Sequence, residues 1–175
     1  WLKSGYTLGD HVDGREIEWD VATEFNARCG GLVGTWEPGN SGETVEDLSV
    51  LQATRTSQNT AYADMASQLD LCDIRDTAVD FGVHRADGEP LSFVPSSILG
   101  VNEIAPLTMA SAFAAIANDG TYCSPVAIDS VTQRRTGEQL EVPKSRCSQA
   151  VTPDVAAALA YAMQQVVSGG TAVAS

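Results

Sequence analysis

Ser57 and Asn59, set one residue apart in the run Thr56-Ser57-Gln58-Asn59-Thr60-Ala61-Tyr62, bring a hydroxyl and a carboxamide together at a break between two helix-patterned segments. A hydroxyl can pass a proton on, and a carboxamide can both donate to and accept from an amide. The pair therefore suits a proton relay joined to a substrate clamp. The competing reading is an ordinary polar junction whose serine caps the second helix. Trp36 and Tyr62 are the aromatic candidates for the wall of a substrate groove, with packing at a loop-helix junction as their alternative role.

Other schemes find less support in the residues. The chain has two lysines: Lys144 follows Glu141-Val142-Pro143, and Lys3 has no residue three places upstream, so a Ser-x-x-Lys couple is excluded within it. No Gly-x-Ser-x-Gly elbow occurs. His11 and His84 would have to meet a serine through the fold, and each reads as a surface residue. The carboxylate pairs Glu16/Glu18 and Asp73/Asp76 sit in solvated or capping contexts. Cys29, Cys72, Cys123 and Cys147 stand singly rather than as Cys-x-x-Cys, which argues against zinc. Isolated cysteines in even number favour disulfides and an oxidising, extracytoplasmic setting. Cys123 with Cys147 is the preferred bridge, because the segment between them is short and hairpin-like; closing it would stabilise by about 3 to 4 kcal/mol. Cys29 with Cys72 depends on tertiary approach, and four reduced buried thiols are the alternative.

The elements that must hold Ser57 and Asn59 follow from periodicity. Residues 1–43 read as loop with short strands, and Trp36 to Gly42 is dense in turn formers. A helix is expected from an N-cap at Thr44, through Val45, Leu48 and Leu51, to about Arg55. A second runs from near Thr60 to about Leu71 on Ala61, Tyr62, Met65, Ala66 and Leu69. Asp73 caps a short third that stops at Gly82. Pro106 to Asn118 is the next helix, with a small-residue face of Leu107, Ala110, Phe113, Ala114 and Ala117 set for close packing. Val126 to Val131 and Leu140 to Val142 suggest a hairpin turning at Thr136-Gly137-Glu138. Thr152 and Pro153 open a last helix with Val155, Leu159, Ala162, Met163 and Val166 buried and Gly169-Gly170 at its end. The whole is α+β with helices dominant.

At 175 residues the chain is long enough for one domain or a large piece of one. It carries 10 Lys and Arg against 23 Asp and Glu, a net charge of -13, so its field repels phosphate backbones and anionic headgroups, and no nucleic-acid partner is expected. No window is apolar enough for a membrane span. Trp1-Leu2-Lys3 and Gly170 to Ser175 both read as interruptions of a longer chain.

Six blocks in order then carry a resemblance: Trp36-x-Pro-x-Asn40; Ser57-Gln58-Asn59-Thr60-x-Tyr62; Pro95 to Gly100; Glu103-x-x-Pro106-Leu107-Thr108-Met109-Ala110; Gly120-Thr121-Tyr122-Cys123-x-Pro125; and Val166-Val167-x-Gly-Gly-Thr171. Together they resemble the transpeptidase domain of class A penicillin-binding proteins, particularly the actinobacterial type, across nearly the whole chain. That family carries Ser-x-x-Lys, then Ser-x-Asn, then Lys-Thr-Gly or Lys-Ser-Gly, and only the middle motif is here. Lys3-Ser4-Gly5 spells the third, but ahead of Ser57 rather than after it.

The resemblance implies a penicillin-binding, serine β-lactamase-like fold, of which residues 1–175 supply mostly the helical subdomain and a small hairpin, truncated at both ends. The nucleophilic serine, its lysine and the Lys-Thr-Gly strand would lie outside, as would much of the five-stranded sheet. Ser57 would relay protons to the leaving nitrogen, and Asn59 would bind the amide of a stem peptide or β-lactam. The implied partners are peptidoglycan stem peptides, β-lactam antibiotics and flanking parts of the same domain, and no metal or organic cofactor is implied. Apolar patches left bare would favour homo-oligomers or strand exchange. The implied location is the extracytoplasmic cell envelope, held by an anchor outside this segment. The rival from another class is a non-catalytic secreted binding or scaffold domain of the same fold.

Overall fold

The computed structural model describes residues 1–173, so the last two positions of the end expected at Gly170 to Ser175, Ala174-Ser175, lie outside the described residues. Residues 1–43 are mostly loop, as their turn-rich composition predicts. They carry a 3-10 turn at Leu2–Ser4, strands β1 (His11–Asp13), β2 (Trp19–Asp20) and β3 (Thr35–Trp36), and one helical turn, α1 (Val21–Glu24). Then follow β4 (Asp47–Ser49), α2 (Val50–Thr56), α3 (Asn59–Ser67), α4 (Leu71–Asp80), a 3-10 turn at Pro95–Leu99 and α5 (Pro106–Ala117). The chain continues with β5 (Thr121–Cys123), β6 (Val131–Thr132), β7 (Gln139–Leu140), β8 (Cys147–Gln149) and the long α6 (Pro153–Gly169). Among the described residues the strands form four separate antiparallel pairs, β1-β4, β2-β3, β5-β8 and β6-β7.

The helix expected from an N-cap at Thr44 begins five residues later, after Ser49. Asp47-Leu48-Ser49 pairs with His11-Val12-Asp13, and Leu48, opposite Val12, is fully buried. A strand that buries only its central residue leaves too short a pattern to distinguish from a helical turn. Ser49 is the actual N-cap of α2, its hydroxyl accepting from the Gln52 N–H at 3.2 Å. Likewise Asp70, not Asp73, caps α4, accepting from the Cys72 N–H at 2.8 Å, so the helix expected to run to Leu71 stops at Ser67. Both caps have the side-chain chemistry that the N-cap position selects.

α3 joins two core clusters. Ala61 and Met65 join Val12, Leu48, Val50 and Ala53 in one core cluster, while Ala63 and Ala66 join Trp19, Phe25 and Leu71 in another. Small side chains on both faces let neighbours approach from two sides. A third cluster joins α5 and α6 through Phe81, Ala112, Ala115, Val151 and Ala156.

The face of α5 is reversed relative to expectation. Leu107, Ala110, Phe113, Ala114 and Ala117 are exposed, Leu107 by 64% and Phe113 by 54%, while Thr108, Ala112 and Ala115 are buried. Pro106 to Ala117 contains no charged residue, so periodicity had no polar side from which to choose.

The hairpin is shorter than its sequence suggested, pairing only Val131 with Leu140 and Thr132 with Gln139, with Gly137 at its turn. Its root is β5-β8, where Cys123 stands opposite Cys147 and the two are joined; Cys29 is joined to Cys72. α6 starts at Thr152-Pro153 and ends at Gly169 with Gly170 as its cap, as its residues specify.

Candidate active site

α2 and α3 are separated by two residues, and their backbone conformations create the junction. Ser57 ends α2 in the left-handed region at φ 57°, ψ 49°, with its N–H donating to the Ala53 and Thr54 carbonyls. That position ordinarily favours glycine, because a Cβ crowds the following carbonyl there. Gln58 returns to extended backbone at φ -80°, ψ 102°, and Asn59 opens α3. The turn leaves the Ser57 side chain exposed and Asn59 half-buried.

The three residues after Ser57 all clasp the loop 39–45. Buried Gln58 donates from Nε2 to the Glu43 carbonyl at 2.7 Å and accepts on Oε1 from the Val45 N–H at 3.4 Å. Asn59 donates from Nδ2 to the Gly39 carbonyl at 2.8 Å. Thr60, 2% exposed, donates from Oγ1 to the Gly14 carbonyl at 2.6 Å and accepts from Asn40 Nδ2 at 3.0 Å. Its N–H donates to Asn40 Oδ1 at 3.3 Å. Thr44, expected as a helix cap, instead accepts from Asn40 Nδ2 at 3.1 Å and donates to Glu16 Oε1 at 3.1 Å. Gly14 is required by proximity, since a Cβ there would lie 1.9 Å from the Val45 carbonyl oxygen. Buried polar groups are thus paired throughout, which fixes one arrangement of the loop.

A second clasp lies two residues before Ser57. Arg55 Nε donates to the Gly169 carbonyl at 2.6 Å, and the Thr171 N–H donates to the Arg55 carbonyl at 3.2 Å. A Cβ on Gly170 would fall 2.3 Å from that carbonyl oxygen. The C-terminal end of α6 is therefore tied to the last turn of α2.

The aromatic candidates are engaged in packing. Trp36 lies opposite Trp19 across β2-β3, with its ring 6.0 Å from that of Phe25. Tyr62 hydrogen-bonds Thr54 Oγ1 at 2.8 Å, and burial pushes its phenol above the ordinary value. Tyr62 and Thr54 also line an apolar cavity of about 350 Å³ between α2, α3, α4 and α6.

His11 and His84 are on the surface, His11 Nδ1 2.7 Å from Asp47 Oδ1 and His84 Nδ1 2.9 Å from the Gly82 carbonyl. Asp73 and Asp76 are both taken up by Arg28, and Glu16 by the loop network. Among the described residues, no group of three His, Cys, Asp or Glu side chains converges as a metal site. The network through Asn40, Gln58 and Thr60 was not anticipated. Its signal was a turn-rich loop carrying an asparagine ahead of three consecutive polar residues at a helix start.

The family model described as the penicillin binding protein transpeptidase domain matches residues 19–175. Penicillin-binding protein 1B of Haemophilus influenzae is 27% identical over 138 residues, covering 78% of this chain and 17% of that protein. The crystal structure of penicillin-binding protein 1A from Haemophilus influenzae superposes with a TM-score of 0.77 at 16% identity, covering 99% of this chain and 29% of the other. Penicillin-binding protein A from M. tuberculosis, in an imipenem acyl-enzyme complex, gives 0.69 at 19% identity, covering 94% and 40%. The chain thus spans less than a fifth of the curated relative and well under half of either solved chain. With a family match over most of its length and a shared fold, this chain belongs to the penicillin-binding protein transpeptidase domain family.

Proposed function

We propose that residues 1–175 are the part of a peptidoglycan D,D-transpeptidase domain that supplies its middle, Ser-x-Asn motif. The observation that carries this reading is Ser57 in a left-handed cap conformation, hydroxyl exposed, beside a carboxamide anchored by the Gly39 carbonyl. Among the described residues Ser57 and Asp119 are the non-glycine residues in that region, and of the two it is Ser57 that stands beside a carboxamide.

In the proposed reaction a serine outside residues 1–175 attacks the penultimate D-Ala carbonyl of a stem peptide, and D-Ala leaves as its nitrogen takes up a proton. An amine from a neighbouring strand then resolves the acyl-enzyme. Ser57 passes the proton to the leaving nitrogen, and Asn59 holds the substrate amide. β-Lactams acylate the same serine; penicillin-binding protein A, a structural neighbour, is known as an imipenem acyl-enzyme complex. Trp36 lies three residues before Gly39, and Tyr62 one helical turn beyond Asn59. Both are proposed to support the substrate side from behind, Trp36 through its packing on Trp19 and Phe25 and Tyr62 through Thr54, rather than to supply polar contacts. The two disulfides support an extracytoplasmic setting on the cell envelope, with the membrane anchor outside these residues.

The test is covalent labelling by a fluorescent penicillin of the full-length protein. A label that forms on the wild type and slows by a hundredfold or more on Ser57→Ala, about the scale of general acid-base catalysis, supports the relay. A wild type that takes no label refutes it and leaves a non-catalytic domain of the same fold.

A further inference from the structure

Asn59 can act as a clamp only if its carboxamide is held in one orientation, and the group that holds it is the backbone carbonyl of Gly39, 2.8 Å from Nδ2. That carbonyl belongs to a loop without regular structure, so its direction must be fixed by the next residue along. Asn40 is the residue with the means to do so. Its Nδ2 donates to Thr60 Oγ1 and Thr44 Oγ1, its Oδ1 accepts the Thr60 N–H, and its own N–H donates to Glu16 Oε1 at 3.3 Å. Thr60 is rigid in turn, being almost wholly buried and spending its hydroxyl proton on Gly14.

Asn40 therefore bridges the loop to the first turn of α3 from a position adjacent to both ends of the Gly39–Asn59 bond. One amide hydrogen of Asn59 is consumed by that bond, leaving its Oδ1 and the second amide hydrogen for another partner. We infer that Asn40 is a positioning residue for Asn59, acting through the Gly39 carbonyl with Thr60 as its support. This rests on the transpeptidase reading. Without the Asn40 side chain the Gly39–Asn40 peptide keeps only its N–H contact to Glu16 and loses its tie to α3, so the Gly39 carbonyl holds Asn59 less firmly before each acylation.

The experiment measures acylation of the full-length protein by a fluorescent penicillin over a concentration series, separating the limiting rate from the half-saturating concentration. Asn40→Ala is expected to lower the limiting rate about tenfold, the order of one lost neutral hydrogen bond, with little change in half-saturation. On an Asn59→Ala background the same substitution is expected to cost less than about twofold, because its route to the substrate is already gone. Thr60→Val should lose rate as Asn40→Ala does, and Thr60→Ser should restore it. A general loss of structure would multiply through the double variant instead.

Losses that multiply, or an Asn40→Ala protein acylated at the wild-type rate, overturn the role. If Asn40→Ala shows no cooperative melting, Thr60→Val and Thr60→Ser, each with and without Asn59→Ala, decide by the same criterion. A wild type that takes no label defeats the transpeptidase reading and this role with it. A labelled wild type with multiplying losses defeats this role alone.

Discussion

Replacing Ser57 in parallel by alanine and by glycine sets backbone strain against side-chain chemistry at one position. Both variants lack the hydroxyl, but only glycine is at ease at φ 57°. A Cβ in the left-handed region costs about 1 to 2 kcal/mol. Glycine gives back about 0.5 to 1 kcal/mol of that through its freer unfolded chain. Ser57→Gly should therefore exceed Ser57→Ala in stability by about 0.5 to 1 kcal/mol, or about 1 to 4 °C in melting temperature. Acylation by penicillin should fall in both by about a hundredfold or more, close to 2.7 kcal/mol of barrier. The assays are thermal melting and a labelling time course on the same preparations. A glycine variant that melts no higher than alanine refutes the strain, and wild-type labelling rates in both refute the relay.

Leu48→Ala, at a fully buried β4 position facing Val12, should destabilise by about 2 to 5 kcal/mol in chemical denaturation, since a core cavity opens between β1 and α2. Asp64, half-buried on α3, has its carboxyl raised mainly by desolvation, so its contribution to stability is full below the unfolded value of 3.8 and lost as pH rises through its folded value. Asp64→Asn should therefore melt higher than wild type at neutral pH, with the difference vanishing as pH falls below that unfolded value; a difference independent of pH would refute the assignment. Chain entropy over separations of 43 and 24 residues sets the loss on Cys29→Ser/Cys72→Ser at about 4 kcal/mol and on Cys123→Ser/Cys147→Ser at about 3.5 kcal/mol. Denaturation of each pair of variants, with acylation retained in the second, would check the order.

What the residues disclosed in advance depended on how locally each feature is encoded. α6 was legible from Thr152-Pro153 to Gly169-Gly170 because start, stripe and stop are all written within 20 or so positions of one another. The placement of Ser57 and Asn59 at a helix break was legible for the same reason. β4 was not, because what makes Asp47-Leu48-Ser49 a strand is a partner 36 residues away. α5 showed its existence but not its orientation, since twelve residues without a charge offer no polar face to turn outward. Asn40 stood in a recognisable turn, yet its meaning lay in Thr60 and Gly14, which meet it only through the tertiary fold.

Residues 124–146 leave and rejoin the domain at one spot, and the Cys123–Cys147 bond closes that root covalently. Nearly every side chain along the arm faces solvent, so little of the remaining structure is informed by what the arm contains. A protease that nicked it would leave two fragments still fastened together, with α5 and α6 undisturbed. The arm is accordingly where this protein can accept insertions, tags or sequence drift while the junction around Ser57 keeps its shape.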